Sequence, residues 1–309
     1  MGESVPPLNT GTYSLSAMIP LPMVMNMYID PMLLADCKDP FESDRHIAEL
    51  KIDGIRNIIS NENQVRMHTR HRNDITYRFP EVVAAAAAAI DQGTKLDGEL
   101  AVCDIDTGKP NFAAMMSRFS SNPTGKMTPG LTFVAFDILA YKGKDTRMLP
   151  LMQRKALLEE AIQENEIIKR IRYTEHNFIP LFELCKQQQL EGIVIKRKDS
   201  RYRAGQRPKD WQRVVVFQRD EVVVTGFSKK DSTWSIGVQK NQKITHVGLL
   251  KYGLTDSIRK QIYPLLRKTV IKETKDFAYV EPLIHLGVRF RHWTREGKMR
   301  LPVLERVIS

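Results

Sequence analysis

The 309-residue sequence has only three cysteines, Cys37, Cys103 and Cys185, and no two of them form a C-x-x-C pair. This spacing supports neither a zinc ribbon nor a disulfide framework, and it fits a reducing cytosol. An apolar stretch at residues 18–29 is interrupted by prolines and is too short to span a membrane. It also lacks the basic start and cleavage site of a secretion signal, so we treat residues 1–27 as an extension of unknown role.

Acidic residues are in the minority, with 36 Asp and Glu against 47 Lys and Arg, which gives a formal net charge of +11. An excess of this kind indicates a polyanionic partner, most often nucleic acid. A basic protein without such a partner is the alternative, and charge alone does not exclude it.

The segment 49–56 reads ELKIDGIR and places Lys51 between apolar residues that alternate with carboxylates. This period is typical of a strand that leads into a glycine turn. A free lysine amine has a pKa of about 10.4 and is a poor nucleophile at neutral pH, but burial or a nearby cation lowers that pKa. Lys51 is therefore placed to attack an electrophilic anion such as a phosphate. From the K-x-D-G motif alone, a surface lysine paired with carboxylates is an equally good interpretation.

Secondary-structure signals divide the chain into two parts. Before residue 218 the pattern predicts strands at 47–52, 56–60, 64–69, 95–103, 132–140, 192–197 and 210–217, and helices at 80–90, 151–163 and 179–189. Beyond it, short strands at 221–227, 234–239, 243–249 and 288–301 surround one helix at 257–266. Roughly ninety residues with this composition suit a small closed barrel of the OB type. We therefore expect an α+β fold with a boundary near 218–220.

Five further motifs follow K-x-D-G. They are LDGEL at 96–100, FVAFDIL at 133–139, EGIVIK at 191–196, DWQRV at 210–214, and a basic segment at 289–302. Each is weak alone, but their order and spacing together are strong. With them the chain resembles ATP-dependent DNA ligases of the covalent nucleotidyltransferase superfamily, in particular the small bacterial or phage type related to end-joining ligases. The resemblance runs from about residue 29 to residue 307.

The resemblance implies an adenylation domain of antiparallel sheets with flanking helices at 28–217, followed by an OB-fold barrel at 218–309. It also implies the reaction. A 5′-phosphate is joined to a 3′-hydroxyl at a nick in duplex DNA, with ATP and Mg²⁺ or Mn²⁺, through a covalent lysyl-AMP intermediate. The barrel is expected to swing between the first step and the later ones.

The same resemblance implies roles for particular residues. Lys51 would be the catalytic residue that becomes adenylylated. Phe136 would stack on adenine, and Glu99 would hold the ribose hydroxyls. Glu191, together with Glu99, would support the metal ion. The other residues expected to contact the nucleotide or its phosphates are Glu49, Arg56, Arg70, Lys196, Arg213, Lys298 and Arg300, of which Lys298 and Arg300 would orient the leaving pyrophosphate.

One motif departs from the family pattern. The fifth motif usually reads Trp-x-Lys-x-Lys, whereas this chain has Trp211 followed by Arg213 and Val215. Arginine keeps the charge on a wider, planar head, and valine keeps none. Either Lys209 or another base compensates, or adenylylation is slowed.

Basic residues cluster in loops beside the motifs, and we expect them to contact the DNA backbone without base specificity. A solvated charged face is the alternative for any single one of them. The basic residues are Arg66, Arg70, His71, Arg72, Arg78, Arg197, Lys198, Arg201, Arg203 and Arg207.

The resemblance further implies nicked duplex DNA as the partner, no membrane, a monomer in the cytoplasm, and a Ku-like end-joining protein as a candidate partner.

Two other functions compete with DNA ligation. RNA ligases and RNA guanylyltransferases share K-x-D-G, although the GQR and DW residues at 205–211 and the WT and RLP residues at 293–302 favour a DNA ligase. A basic DNA-binding protein with a decayed catalytic centre is the second alternative, and Val215 would be its symptom. An NAD-dependent ligase is disfavoured because the cysteines of its zinc site are missing.

Overall fold

The computed structural model describes residues 28–121, 127–241, 243–294 and 296–308, so the predicted extension at 1–27 lies outside the described residues. Pro80 opens the first helix, where a missing N–H costs nothing, and the alanine-rich sequence after it packs one face on the core. Within the described ranges, no helix has the length and apolar character needed to cross a bilayer. The α-helices are α1 (Pro80–Ala89), α2 (Phe112–Ser120), α3 (Leu151–Ala161), α4 (Phe178–Gln187) and α5 (Asp256–Lys268).

The strands of the described ranges form three sheets. They are β1 (Ala35–Cys37), β2 (His46–Leu50), β3 (Ile55–Asn61), β4 (Val65–Thr69), β5 (Thr94–Val102), β6 (Leu131–Tyr141), β7 (Lys144–Asp145), β8 (Ile168–Arg170), β9 (Tyr173–Thr174), β10 (Gly192–Arg197), β11 (Trp211–Val215), β12 (Gln218–Ser228), β13 (Trp234–Lys240), β14 (Lys243–Leu250), β15 (Val270–Glu273), β16 (Phe277–Val280), β17 (His285–Phe290) and β18 (Val303–Val307).

The first sheet has the order β4-β3-β5-β6-β7, with β8 beside β6, and the second has the order β1-β11-β10-β2-β9. Their strand pairs are antiparallel except for β1 with β11 and β6 with β8, which are parallel exceptions to the antiparallel sheets we expected. A buried cluster joins the two sheets, with Ile47 and Trp211 from the second and Ile58 and Leu139 from the first. The chain crosses from one sheet to the other between β2 and β3, and this crossing carries K-x-D-G.

The third sheet uses only strands from Gln218 onward. The long strand β12 pairs with β13, β16 and β17, and β17 pairs with β18. A single bridge between Tyr252 and Val303 connects the end of β14 to β18, which closes the sheet into a barrel. Helix α5 packs Ile262 and Leu266 into the barrel core. This small barrel agrees with the OB-type fold that the sequence predicted.

Several strands and helices predicted from the sequence differ from those in the structure. The strand predicted at 288–301 is wrong beyond Phe290, because the chain turns there through Gly297 and Leu301, both at positive φ, before β18 begins. Helix α2 was missed, although Asn111 caps it by accepting a hydrogen bond from the Ala114 N–H at 3.0 Å. The short strands β15 and β16 were also missed.

Candidate active site

Lys51 is the first residue after β2. Its backbone N–H donates to the Gly192 carbonyl at 2.9 Å, and its Nζ donates to Glu191 Oε2 at 2.8 Å. The side chain keeps 18% of its accessible surface. Three residues later the backbone passes so close to β5 that a Cβ on Gly54 would lie 2.2 Å from the Leu100 carbonyl oxygen. Glycine permits this approach, which holds Lys51 between the two sheets.

Two cavities meet at Lys51. The first, which we name the sheet cavity, lies between the first two sheets and has a volume of about 630 Å³. The second, which we name the interface cavity, lies against the barrel and has a volume of about 770 Å³; its walls include Asp53, Glu191, Arg291 and Arg300. Lys51 lines both. The predicted site residues that line the sheet cavity are Glu49, Lys51, Arg56, Arg70, Glu99, Phe136, Lys196 and Arg213.

Glu99 lies on β5 in the wall of the sheet cavity. Burial raises the pKa of its carboxyl to about 8, and the carboxylates of Glu191 and Asp97 act in the same direction, against the cations Lys51 and Arg56. A cation or hydrogen-bond donor that binds beside Glu99 would stabilise the charged form of its carboxyl.

Glu49 is buried between two lysines. Lys155 Nζ, from α3, donates to Oε1, and Lys196 Nζ lies 2.7 Å from Oε2. Burial lowers the pKa of Lys196 to about 8, against the opposing effect of the Glu49 carboxylate. The Lys196 Nζ also lies 4.7 Å and 4.0 Å from the ring centroids of Phe136 and Trp211. The phosphate contact predicted for Lys196 would therefore start from a buried ammonium that already has a carboxylate partner.

Arg56 forms a two-pronged ion pair with Asp97, through Nε to Oδ1 at 3.0 Å and Nη2 to Oδ2 at 2.6 Å. The Tyr202 hydroxyl donates to the same Oδ2 at 2.6 Å. The guanidinium carbon lies 5.1 Å from the centroid of the Phe136 ring. These contacts fix the guanidinium plane in the cavity wall, because both oxygens of Asp97 hold it.

The two residues of the fifth motif share one face of β11. Arg213 pairs in register with Val194 of β10, and both line the sheet cavity. Val215, two residues further on, lies on the same face because side chains alternate along a strand. The Arg213 Nε donates to Asp36 Oδ1 at 2.6 Å. The position of the family's second lysine thus holds a valine on the same face of β11 as Arg213, and this valine is not among the described residues that line the two cavities.

Two ion pairs connect the barrel to the rest of the site. Arg300 pairs with Asp53 through Nη1 and Nη2, and its Cζ lies 3.7 Å from the Phe112 ring centroid. Arg291 Nη1 lies 3.5 Å from Glu191 Oε1. Each pair joins one residue of the barrel to one residue beside Lys51, so the interface cavity is bounded by both parts of the chain.

Lys298 is the predicted site residue that the structure places elsewhere. Its Nζ donates to the His246 carbonyl at 2.6 Å, and it is absent from the described residues that line the two cavities. The other predicted residues all line at least one cavity. Lys298 would reach a nucleotide only after its side chain or the barrel moves.

Sequence reasoning missed two groups of cavity residues. Phe112, Met116 and Phe119 of α2 line the sheet cavity. The capping residue before this short helix was the available signal. Arg291 lines the interface cavity, and the predicted strand at 288–301 concealed its role.

A metal ion would depend on two carboxylates here. Among the described residues, no group of three or more His, Cys, Asp or Glu side chains could hold a metal ion. The Glu191 carboxylate is close enough to Glu99 to help raise the pKa of the Glu99 carboxyl. Two carboxylates suit Mg²⁺, because this ion keeps several waters and accepts substrate phosphate oxygens. The residues present therefore fit the predicted ion.

Comparison with known proteins identifies the family. Residues 31–214 match the model of the ATP dependent DNA ligase domain. The chain is 34% identical over 280 residues to the SPbeta prophage-derived DNA ligase-like protein LigB of Bacillus subtilis, a match that covers 90% of this chain and 98% of that protein. The chain belongs to the ATP-dependent DNA ligase family.

Two further proteins are similar. The multifunctional non-homologous end joining protein LigD of Pseudomonas aeruginosa is 29% identical over 279 residues, which cover 82% of this chain but only 32% of LigD. A solved structure of mycobacterial DNA ligase D complexed with ATP and MES has a TM-score of 0.55 at 24% identity, and covers 91% of this chain and 95% of that chain. This structural likeness confirms the fold class that the sequence predicted.

Proposed function

We propose that this DNA ligase uses Lys51 as the nucleophile that receives AMP from ATP. The observation that carries the proposal is the position of Lys51 in the common wall of two cavities, with Glu191 2.8 Å from its Nζ. Nζ attacks the α-phosphorus, a nitrogen–phosphorus bond forms, and the bond to the leaving pyrophosphate breaks. The ammonium must lose a proton first, because a protonated amine has no free electron pair.

The sheet cavity would hold the nucleoside, and the interface cavity would hold the leaving phosphates. In the first, Phe136 would stack on adenine and Glu99 would accept hydrogen bonds from the ribose hydroxyls. In the second, Arg300 would exchange Asp53 for pyrophosphate oxygens. As the family resemblance implies, the nucleotide or its phosphates would also be contacted by Glu49, Arg56, Arg70, Lys196, Arg213 and Lys298.

Glu191 and Glu99 would hold a magnesium or manganese ion, which supplies positive charge to the phosphate oxygens. In the structure Lys51 and Arg291 both use Glu191 as a partner. A Glu191 carboxylate that held the ion instead would release Lys51 Nζ from this ion pair. This exchange links the choice of partner at Glu191 to the availability of the nucleophile.

The later steps act on nicked duplex DNA. AMP passes from Lys51 to the 5′-phosphate of the nick, and the 3′-hydroxyl then attacks that phosphate and displaces AMP. The net charge of +11 supports contact with the DNA backbone. We propose that the protein acts as a monomer in the cytoplasm of a bacterial or phage-infected cell, with a Ku-like protein as a candidate recruiter.

A nick-sealing assay with the full chain tests the proposal. A labelled nicked duplex is incubated with a divalent ion and ATP, GTP or NAD, and the enzyme–nucleotide adduct is trapped in parallel. We expect an adduct and a sealed product with ATP, and neither with Lys51→Ala. Lys186→Ala is the matched control, because Lys186 pairs with Glu183 on the exposed face of α4.

Each contrary result identifies an alternative. An adduct that prefers GTP would indicate a guanylyltransferase. Binding to a nick without sealing, at any ATP or metal concentration, would indicate a DNA-binding protein with a decayed catalytic centre, the alternative that Val215 suggested. An intact adduct in Lys51→Ala would refute the assignment of the nucleophile.

A further inference from the structure

The face of β11 that carries Arg213 lacks a cation at one position. Arg213 and Val215 share this face, and the family resemblance places a second phosphate-binding lysine at Val215. An apolar side chain cannot neutralise a phosphate oxygen in the transition state. Lys209 does not share this face of β11, because it lies before the start of the strand and is exposed.

Arg291 of the barrel lies close to the end of the fifth motif. Its guanidinium carbon lies 4.9 Å from the ring centroid of Phe217, which is two residues beyond Val215. Its Nη1 lies 3.5 Å from Glu191 Oε1, and Glu191 in turn accepts from Lys51. The side chain keeps only 15% of its accessible surface. Arg291 is thus a largely buried cation beside both the nucleophile and the end of the fifth motif.

The hydrogen bonding of Arg291 is incomplete. Nη1 is buried, and within the part of the chain that the structure describes it has no partner with hydrogen-bond geometry, since its contact with Glu191 is only an ion pair. Unsatisfied buried donors are uncommon in folded proteins and call for an explanation. The guanidinium groups of Arg213 and Arg300 are close enough to add their positive charge to that of Arg291. A phosphate would satisfy both the donor and the excess positive charge.

We propose that Arg291 supplies the cation that Val215 cannot, by donating to the phosphate that Lys51 attacks. The inference rests on the proposed function of Lys51. Because Arg291 belongs to the barrel, the contact exists only while the barrel packs against the cavity. Formation of enzyme–AMP in this chain therefore requires the closed arrangement for charge neutralisation at the attacked phosphate as well as for the leaving pyrophosphate. The sealing of an adenylylated nick, which the family performs with the barrel moved, does not require Arg291.

The test separates the first chemical step from the last. Single-turnover formation of enzyme–AMP is measured at saturating ATP, and the sealing of a pre-adenylylated nick is measured without ATP. Arg291→Ala should slow adduct formation by about a hundred- to a thousand-fold, as removal of one preorganised donor does. Its sealing of the pre-adenylylated nick should stay within about twofold of the unmodified protein.

Two more variants make the test specific. Val215→Lys, combined with Arg291→Ala, should restore most of the lost rate, because it returns a cation to the same face. Arg289→Ala is the matched control. Arg289 stacks on Phe217 at 4.6 Å, but its partner is Glu305 at 3.7 Å, and it should leave adduct formation nearly unchanged.

Three results would overturn the inference. They are equal adduct rates for Arg291→Ala and Arg289→Ala, equal losses in both assays for Arg291→Ala, and no rescue by Val215→Lys in a folded double variant. If Arg291→Ala lowers the melting temperature, Arg291→Gln replaces it in the same comparisons. A normal rate in Arg291→Ala with an inactive Lys51→Ala rejects only Arg291, whereas an active Lys51→Ala rejects the proposed function.

Discussion

The sheet cavity and the interface cavity differ in how their charges are held. Around the sheet cavity, Glu49 is buried between Lys155 and Lys196, and all three belong to the part of the chain before Gln218. Around the interface cavity, each of the ion pairs Arg300–Asp53 and Arg291–Glu191 has one partner in the barrel. The sheet cavity, where we propose that the nucleoside binds, is thus built into one folded unit. The interface cavity, where we propose that the leaving phosphates bind, is complete only while the barrel is in place.

The largest expected effect comes from the buried carboxylate of the sheet cavity. Glu49→Ala leaves two buried ammonium groups without this partner, and it should lower the free energy of unfolding by about 3–5 kcal/mol in urea titrations. Asp36→Ala is the control, because Asp36 is exposed where it pairs with Arg213, and its loss should cost less than about 1 kcal/mol. Equal losses in the two variants would show that burial does not distinguish these pairs.

The buried ammonium of Lys196 predicts a pH dependence. Burial lowers its pKa from 10.5 to about 8. Below pH 8 both native and unfolded chains carry the proton, and the cost of burying the charge is fully present. Between pH 8 and 10.5 the unfolded chain binds more protons, so the unfolding free energy should rise with pH, by about 3 kcal/mol relative to Lys196→Met. Parallel pH profiles for the two proteins would contradict this prediction.

Substitutions at the interface cavity should lower the rate of enzyme–AMP formation more than they lower the stability of the fold. Arg300→Ala removes an ion pair that joins the barrel to Asp53, and it should slow formation of enzyme–AMP by about tenfold, the value of one modest charged contact. Arg219→Ala removes an exposed barrel arginine that pairs with Glu305 and should change little. Equal rates would mean that the barrel contact does not contribute to the first step.

The smallest expected effect concerns the DNA backbone. Arg201 is exposed in the loop after β10, whereas the exposed Arg72 pairs with Asp30 at 2.6 Å. Arg201→Ala should reduce the slope of log affinity against log salt by about one, because one phosphate contact is lost. Arg72→Ala should change it less, since Asp30 already neutralises that charge. The reverse order would favour Arg72 as the phosphate contact and Arg201 as part of a solvated face.

The sequence predicted the backbone elements that depend on local patterns, and the family resemblance supplied the predicted cavity residues. Pro80 and the alanines after it identified α1, and the alternation around Lys51 identified the end of β2. The partners of the site residues were not predictable in this way. Lys155 reaches Glu49 across 106 residues, and Tyr202 reaches Asp97 across 105. Such pairs depend on how the sheets pack, and no local pattern encodes that.

The segment at 291–302 shows the same limit. Its alternating residues resemble a strand, but the positive φ at Gly297 and Leu301 turns the chain back on itself. The Arg291 N–H donates to the Arg300 carbonyl at 2.9 Å, so the two arginines come to lie side by side at the interface cavity. A continuous strand would have carried them apart. Arg300 was predicted from the family resemblance alone, and no pattern in the sequence brought Arg291 beside it.

Mapping the site of AMP attachment tests the central claim most directly. The full chain is incubated with ATP and magnesium, digested, and analysed by mass spectrometry. The account predicts AMP on the peptide that contains Lys51 and on no other lysine. AMP on Lys196 or Lys209, with an unmodified Lys51, would contradict it.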